Sequence, residues 1–280
     1  MKKFIVVFDG YKMSKASMMY AIEIAQSANA HLVGVFLDEF LYRSYNFYKT
    51  ITKYKKYEEV MKDLNNKDKK KRDEAVLLFQ KTCEKSKINF SIHRDKSIAM
   101  QELKHESMFA DLIIINEYET FAYIKETPPT SFVRELLKDV ECPVLVTPAA
   151  YKTIDKIILL YDGKPYALHS IKIFSYLFDN LRNLPVEVFT VKDDKMEGMH
   201  LPDNKLMREF IKRHFPQANF TVTKGAAEFE IVKHLRSLSE NTLVVLGAYQ
   251  RSDLSRWFKT SMADVLMKET EKPLFMAHTK

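Results

Sequence analysis

The sequence predicts two tandem α/β domains, each built on an open parallel sheet with helices on both faces. Two observations predict this class. Short, continuously apolar segments of strand length alternate with longer segments of helical periodicity, and the whole alternation occurs twice along the chain. Continuous apolar strands are typical of parallel sheets that are buried on both faces. Right-handed crossover connections then give a doubly wound sheet in each half.

Three sequence blocks recur in the same order and divide the chain into two homologous halves. FIVVFDG at 4–10 matches IILLYDG at 157–163, and the apolar run 112–116 matches 243–247. The third block pairs Thr-Ser at 130–131 with 260–261, and Glu-x-Pro at 141–143 with 271–273. We therefore predict a first domain over residues 1–150 and a second over 151–280, joined by a short linker at 148–153.

The order of elements follows from the periodicity of each segment. Ser14 can cap the first helix, whose apolar positions form one buried stripe. In the first half we predict strands at 3–8, 31–37, 88–93, 112–115 and 144–146, and helices at 14–28, 57–86, 98–109 and 131–139. In the second half we predict strands near 156–161, 186–191, 219–223, 243–246 and 274–277. The first half is longer, and we place the surplus in an inserted basic helical segment at about 42–71.

Composition excludes several classes of protein. The chain has only 6 glycines, no two of them within three residues, so it contains neither a GxGxxG dinucleotide loop nor a Walker A loop. No apolar run approaches the ~18 residues of a membrane span. Asp9-Gly10 also interrupts the N-terminal apolar run before it reaches the length of a signal core. We expect a cytoplasmic protein whose two cysteines are buried thiols, with no metal site and no catalytic nucleophile.

An aspartate ends the first strand of each half. Asp9 and Asp162 are each followed by glycine, Gly10 and Gly163. In open α/β sheets, ligands bind at the carboxyl ends of the strands, where the strand order changes direction. An acid at that position can accept hydrogen bonds from ribose hydroxyls, or it can cap backbone amides in an Asp-Gly turn. Both interpretations remain open from the sequence.

The segment after the fourth strand of the second half carries the features of an anion site. Gly247 permits close backbone approach, while Arg251, Arg256 and Lys259 supply positive charge. Thr260 or Ser261 can cap the following helix, whose first amides attract an anion. The equivalent segment of the first half keeps Ser131 but introduces Glu117, Glu119 and Glu126, which would repel a phosphate. We therefore expect the two halves to differ in ligand binding.

This order of motifs resembles the universal stress protein family, as two fused copies that cover nearly the whole chain. ATP-binding members carry G-x2-G-x9-G-[ST] after the fourth strand. The second half keeps the first glycine as Gly247 and the hydroxyl as Ser261, but has Gln250 and Thr260 at the other glycine positions. The first half has Asn116 and Glu119 at its first two glycine positions and keeps only Ser131.

The resemblance implies two Rossmann-like sheets of the adenine nucleotide alpha hydrolase-like type, with strand order 3-2-1-4-5, related by a pseudo-two-fold axis. It implies pairing of the fifth strands, between chains as a homodimer or within one chain as a pseudo-dimer. It implies ATP or another adenine nucleotide, with Mg²⁺, as the ligand. The contacts implied in the second half are Asp162, Gly163, Val191, Gly247, Arg251, Lys259, Thr260 and Ser261. Asp9, Gly10 and Ser131 are the degenerate equivalents in the first half.

The function predicted is that of a non-catalytic, regulatory stress-response protein, a weak ATPase at most, whose nucleotide binds in the second half only. One alternative is a scaffold or dimerisation module that has lost nucleotide binding. Another is binding of nucleic acid through the Lys- and Tyr-rich segment, where aromatic rings could stack on bases. The net charge of +7 fits that alternative, although a solvated helical face explains it as well.

Overall fold

The computed structural model describes residues 1–9, 12–37, 57–95, 98–122, 125–247 and 261–277. For 57–68, Asp95 and Arg182 it describes the backbone alone. Within this part of the chain, no helix combines the length and the apolar composition that crossing a bilayer requires. The inserted segment predicted at about 42–71 lies outside the described residues up to position 56.

Strands and helices alternate through the first half. Its elements are β1 (Lys3–Asp9), α1 (Lys15–Ala28), β2 (His31–Leu37), α2 (Tyr57–Lys85), β3 (Phe90–Asp95), α3 (Ala99–Ser107), β4 (Leu112–Asn116), α4 (Ser131–Asp139) and β5 (Val144–Thr147). The Ser14 side chain accepts a hydrogen bond from the Ser17 amide, so the predicted cap of α1 is confirmed.

One predicted strand is displaced along the sequence. β3 begins at Phe90 rather than Ile88. Lys87 adopts a left-handed conformation (φ 54°), and the amide of Ile88 donates to the Cys83 carbonyl at 3.3 Å. The first residue of this apolar run therefore completes the end of α2, and the strand starts two residues later.

The second half repeats the alternation of strands and helices. Its elements are β6 (Lys156–Leu160), α5 (Pro165–Leu177), a 3₁₀ turn (Asn180–Asn183), β7 (Val186–Lys192), α6 (Asn204–His214), β8 (Asn219–Lys224), α7 (Ala227–Ser237), β9 (Thr242–Gly247), α8 (Met262–Glu269) and β10 (Leu274–Ala277).

The two predicted sheets are joined side by side, so that the strands of the described residues form one ten-stranded sheet. Its order is β3-β2-β1-β4-β5-β10-β9-β6-β7-β8. Each half by itself has the order 3-2-1-4-5 with parallel neighbours, but β5 and β10 pair antiparallel and fuse the halves. The expected pairing of the fifth strands thus occurs within the chain, and it makes the sheet continuous.

The register of this pair places a pseudo-two-fold axis in the sheet. Leu145 faces Phe275, flanked by the pairs Val144 with Met276 and Val146 with Leu274. Leu145 and Phe275 each lie two residues after the proline of the matching Glu-x-Pro block, so they are equivalent positions. Both side chains are fully buried. The axis therefore passes between two equivalent residues, as it would in a symmetric dimer.

Two apolar layers cover the sheet, one on each face. The first packs α1, α2, α5 and α6 against it, and the second packs α3, α4, α7 and α8. Strand residues contribute alternately to the two layers, so Phe4, Val6 and Phe8 enter the first while Ile5 and Val7 enter the second. This double burial is the physical reason for the continuously apolar strands.

The junction between the halves is held in place by both of them. On α1, the Tyr20 hydroxyl accepts from the Lys152 amide at 3.3 Å, and Glu23 accepts from the Ile154 amide at 2.9 Å. From the second half, the Asn241 side-chain amide donates to the Lys152 carbonyl at 2.6 Å. Side chains of both halves thus pair with backbone groups of the predicted linker.

Candidate functional site

Two clefts lie where the strand order of each half reverses. The first cleft is at the carboxyl ends of β1 and β4, and the second cleft is at the carboxyl ends of β6 and β9. In each half these two strands are neighbours, while the connections from them lead to opposite sides, which is the arrangement of a ligand crevice. Because β5 and β10 are antiparallel, the strands of the two halves point in opposite directions. The two clefts therefore lie at opposite ends of the strands.

Asp162 is exposed at the end of β6 in the second cleft. Its carboxylate accepts a hydrogen bond from the Lys164 amide at 3.0 Å and another from the Tyr166 hydroxyl at 2.7 Å. The first is the Asp-Gly turn bond that the sequence left open as an alternative. The second comes from a side chain on the first turn of α5, and sequence analysis did not single it out.

Gly163 is required by both its conformation and its packing. It has φ 84°, in the left-handed region that side chains disfavour. A Cβ at this position would lie 2.6 Å from Cβ of Pro202, in the segment that leads from β7 into α6. The turn after β6 is therefore held against a neighbouring loop, which defines one side of the second cleft.

Gly247 makes room for an aromatic ring. A Cβ added there would clash with Cδ2 of Tyr166 and lie 2.8 Å from its Cε2. The close backbone approach predicted for this glycine is thus made by the chain's own tyrosine, which packs over the end of β9. Tyr166 therefore contacts both strand ends that define the second cleft.

Ser261 caps α8, as predicted for one of two adjacent hydroxyls. Its side chain accepts from the Ala263 amide at 3.1 Å. Thr260, Arg251 and Lys259 lie outside the described residues, as does Gly10 in the first half. Val191 is half-buried near the end of β7 and packs against the second apolar layer.

The first cleft is filled by a buried glutamate. Asp9, the match of Asp162, is 4% exposed, and Glu119 is 8% exposed. The Glu119 carboxyl accepts from the amides of Thr120 at 3.1 Å and Phe121 at 3.3 Å. Burial, together with the neighbouring charge of Asp9, raises the pKa of Glu119 to about 7. A second acid therefore takes the space beside the first strand end.

The helix that follows the first cleft already carries an anion. Ser131 donates to the Glu126 carboxylate from its amide at 2.7 Å and from its hydroxyl at 2.7 Å. These bonds hold the pKa of Glu126 below its usual value. The cap of α4 is Thr130, whose hydroxyl oxygen accepts from the Val133 amide at 3.2 Å. Glu126 therefore occupies the position at the helix N-terminus where a phosphate would bind.

Asn116 and Glu117 connect the first cleft to the junction. The Asn116 side-chain amide donates to the Pro148 carbonyl at 3.0 Å, and its oxygen accepts from the Tyr118 amide at 3.1 Å. Glu117 is buried and bonded to the Ala149 amide, and burial raises its pKa to about 8. Asn116 and Glu119, which stand at glycine positions of the motif, thus have structural partners of their own.

No group of three or more histidine, cysteine or acidic side chains capable of holding a metal ion occurs among the described residues. Burial raises the pKa of both cysteine thiols, Cys83 and Cys142, to about 12. The side chains of the Lys- and Tyr-rich segment up to residue 68 lie outside the described part of the chain, as does the nucleic-acid surface predicted there.

Solved structures of universal stress proteins share this fold over the whole chain. A universal stress protein from Archaeoglobus fulgidus superposes with a TM-score of 0.69 at 11% identity, covering 99% of this chain and 98% of that chain. A Pseudomonas aeruginosa protein given the same family name has a TM-score of 0.61 at 17% identity, covering 99% and 93%. A functionally unknown protein of that organism has a TM-score of 0.60 at 16% identity, covering 99% and 92%.

No known family model and no curated protein matches this sequence. The likeness to the solved structures confirms, at the level of the fold, the resemblance that the motifs indicate. The chain has the α/β fold of universal stress proteins, with one copy in each half.

Proposed function

We propose that this chain is a tandem universal stress protein of regulatory, non-catalytic type that binds an adenine nucleotide in its second half only. The halves correspond to residues 1–150 and 151–280. The observation that supports this most directly is the contrast between Asp9, buried beside Glu119, and Asp162, exposed at the mouth of the second cleft. Only Asp162 is placed to accept hydrogen bonds from the hydroxyls of a ligand.

The second cleft offers two groups that support this proposal. Asp162 faces solvent and would bind the sugar, and the N-terminus of α8, capped by Ser261, would attract a phosphate. Gly163, Val191, Gly247, Arg251, Lys259 and Thr260 complete the proposed set of contacts. Mg²⁺ would accompany the phosphates and neutralise part of their charge. The first cleft does not fit the group, because Glu119 takes the space beside Asp9 and the Glu126 carboxylate already accepts from the Ser131 amide.

The matched serines of the two halves provide the test. Isothermal titration of the full chain with ATP and MgCl₂ should give one site per chain. Ser261→Ala removes a hydroxyl beside the phosphate and should weaken binding by about 3- to 10-fold. Ser131→Ala, the same change in the first half, should leave the affinity unaltered. Two sites per chain, or a loss of affinity with Ser131→Ala alone, would contradict the proposal.

A scaffold without nucleotide is the second candidate. It is favoured by the Tyr166 ring, which packs against Gly247 and donates to Asp162 in the second cleft. In that case the duplication would serve to pair β5 with β10 within one chain, and both clefts would be closed. Titration with ATP that shows no binding to the wild type or to any variant would favour this candidate.

A further inference from the structure

We propose that Tyr166 is a gate for the second cleft: its ring lies across the cleft and is displaced by a ligand that carries a sugar hydroxyl. The inference rests on the function proposed above and names how that site is regulated. It is carried by one side chain that contacts both of the groups expected to contact the ligand, the Asp162 carboxylate and the backbone at Gly247.

The hydroxyl of Tyr166 is chemically equivalent to the ligand group that it replaces. It donates to Oδ2 of Asp162 at 2.7 Å, as a ribose hydroxyl would. Hydrogen bonds to a carboxylate are stronger than those between neutral groups, so Asp162 is satisfied while the cleft is closed. A sugar hydroxyl can replace the phenol at Asp162 with no net loss of hydrogen bonds, whereas an apolar ligand would leave the carboxylate unpaired.

The ring of Tyr166 occupies the crevice itself. β6 and β9 are adjacent strands, and the ring reaches from the turn after β6 to the backbone at the end of β9. The ring is half-buried, and the ammonium group of Lys164 lies over it, 5.6 Å from its centroid. The side chain thus stands at the surface, on the second residue of α5, where a change of rotamer moves it without unfolding the helix.

A gate of this kind lowers the apparent affinity. If only a fraction of the molecules is open, the apparent Kd is the intrinsic Kd divided by that fraction. Tyr166→Phe removes the bond that competes for Asp162 and keeps the ring, while Tyr166→Ala also empties the space beside Gly247. Both variants should bind more tightly than the wild type.

Titration of the full chain with ATP and MgCl₂ tests the gate. Tyr166→Phe should tighten binding by about 3- to 10-fold, the effect of one competing hydrogen bond, and Tyr166→Ala by at least as much. Tyr176→Phe is the matched control, because Tyr176 is an exposed tyrosine of the same helix whose ring contacts His214. It should bind like the wild type.

The outcomes separate the gate from the function on which it rests. Wild-type binding that is unchanged or weakened in Tyr166→Phe would overturn the gate and leave nucleotide binding intact. Lack of binding in every protein, Tyr166→Ala included, would overturn the proposed function and the gate with it.

The closed state is measured without any ligand. Gly247→Ala places a methyl group against the ring and should lower Tm by about 3–8 °C in the wild-type background. In the Tyr166→Ala background the added methyl group no longer meets the ring and keeps only a contact of 3.2 Å with the Ala167 nitrogen, so most of that loss should disappear. An equal loss in both backgrounds would show that the ring does not occupy the cleft, and would overturn the gate.

Discussion

The two clefts begin from matched residues and satisfy them in opposite ways. In the first, Asp9 is buried beside Glu119, and Glu126 binds the amide at the start of α4. In the second, Asp162 is exposed, and its partner Tyr166 is a half-buried side chain. A buried carboxyl pair is part of the folded structure, whereas a surface hydrogen bond exchanges easily with a ligand. The matched aspartates thus differ in setting: the one in the first half is part of a buried cluster, and the one in the second half makes a surface hydrogen bond.

The interface between the halves has diverged in the same manner. Arg134 lies three residues after Ser131, and Asp264 lies three residues after Ser261, so the two positions are equivalent. Arg134 Nε is 3.4 Å from Oδ2 of Asp264 across the pseudo-two-fold axis. In a dimer of identical halves, each of these residues would approach its own copy and meet a like charge. Fusion permits an ion pair there, which favours pairing with the other half over pairing with a copy of the same half.

The largest effect is expected from the second-half residue at the axis. Phe275→Ala should lower the free energy of unfolding by about 3–5 kcal/mol, because it leaves a cavity among rings that include Phe174 and Phe178. Denaturation with urea measures this loss. Phe229→Ala, at a phenylalanine that is 63% exposed, should cost less than about 0.5 kcal/mol. A loss below about 1 kcal/mol for Phe275→Ala would show that the side chain at the pseudo-two-fold axis is not part of the apolar core.

The pH dependence of stability should originate in the first half. The pKa of Glu117 is raised to about 8 and that of Glu119 to about 7, from about 4.5 in the unfolded chain. Between these values the folded protein holds protons that the unfolded chain has released. The stability that these two groups contribute is therefore fully present below about pH 4.5 and is lost as pH rises to about 8, by up to about 1.4 kcal/mol per pH unit for each proton.

Glu117→Gln should remove part of that slope, because the amide does not titrate. Urea denaturation at pH 5, 6, 7 and 8 measures the free energy of unfolding of the variant and the wild type. Glu228→Gln, which removes an exposed carboxylate from α7, should give a curve parallel to that of the wild type. A Glu117→Gln curve that is also parallel to the wild-type curve would show that Glu117 is ionised in the folded protein.

The ion pair at the axis should give the next effect. Arg134→Asp places two carboxylates together and should cost about 2 kcal/mol, less than the ~3–5 of a fully buried pair, because the Arg134 side chain is 40% exposed. The exchanged pair Arg134→Asp with Asp264→Arg should recover at least half of the loss. Arg236→Ala breaks an exposed pair with Glu269 and should cost less than about 0.5 kcal/mol. If the double variant loses as much free energy of unfolding as the two single variants together, Arg134 and Asp264 do not interact directly.

The sequence predicted the strands and the duplication well, because apolar runs and recurring blocks are local patterns. The pairing of Leu145 with Phe275 and of Arg134 with Asp264 follows from the repeat only once the two sheets are known to be joined. Tyr166 could not be found from the sequence, since its contacts depend on a rotamer and on the neighbouring strand β9. Glu126 was visible in the sequence as an acid shortly before a helix start. Its position indicated that it would repel an anion, but not that its carboxylate would take the place of the anion.

The smallest effect on stability is expected at Glu126, whose carboxylate takes the place of an anion at the start of α4. Glu126→Gln keeps an acceptor for the Ser131 amide but removes the charge at the N-terminus of α4, so it should cost about 0.3–1 kcal/mol, measured by urea denaturation. It should not create a second nucleotide site, because Glu119 still fills the space beside Asp9. Titration of Glu126→Gln with ATP and MgCl₂ should therefore give the wild-type stoichiometry. A second site in this variant would show that Glu126 alone closes the first cleft, and the difference between the halves would then reduce to one exposed carboxylate.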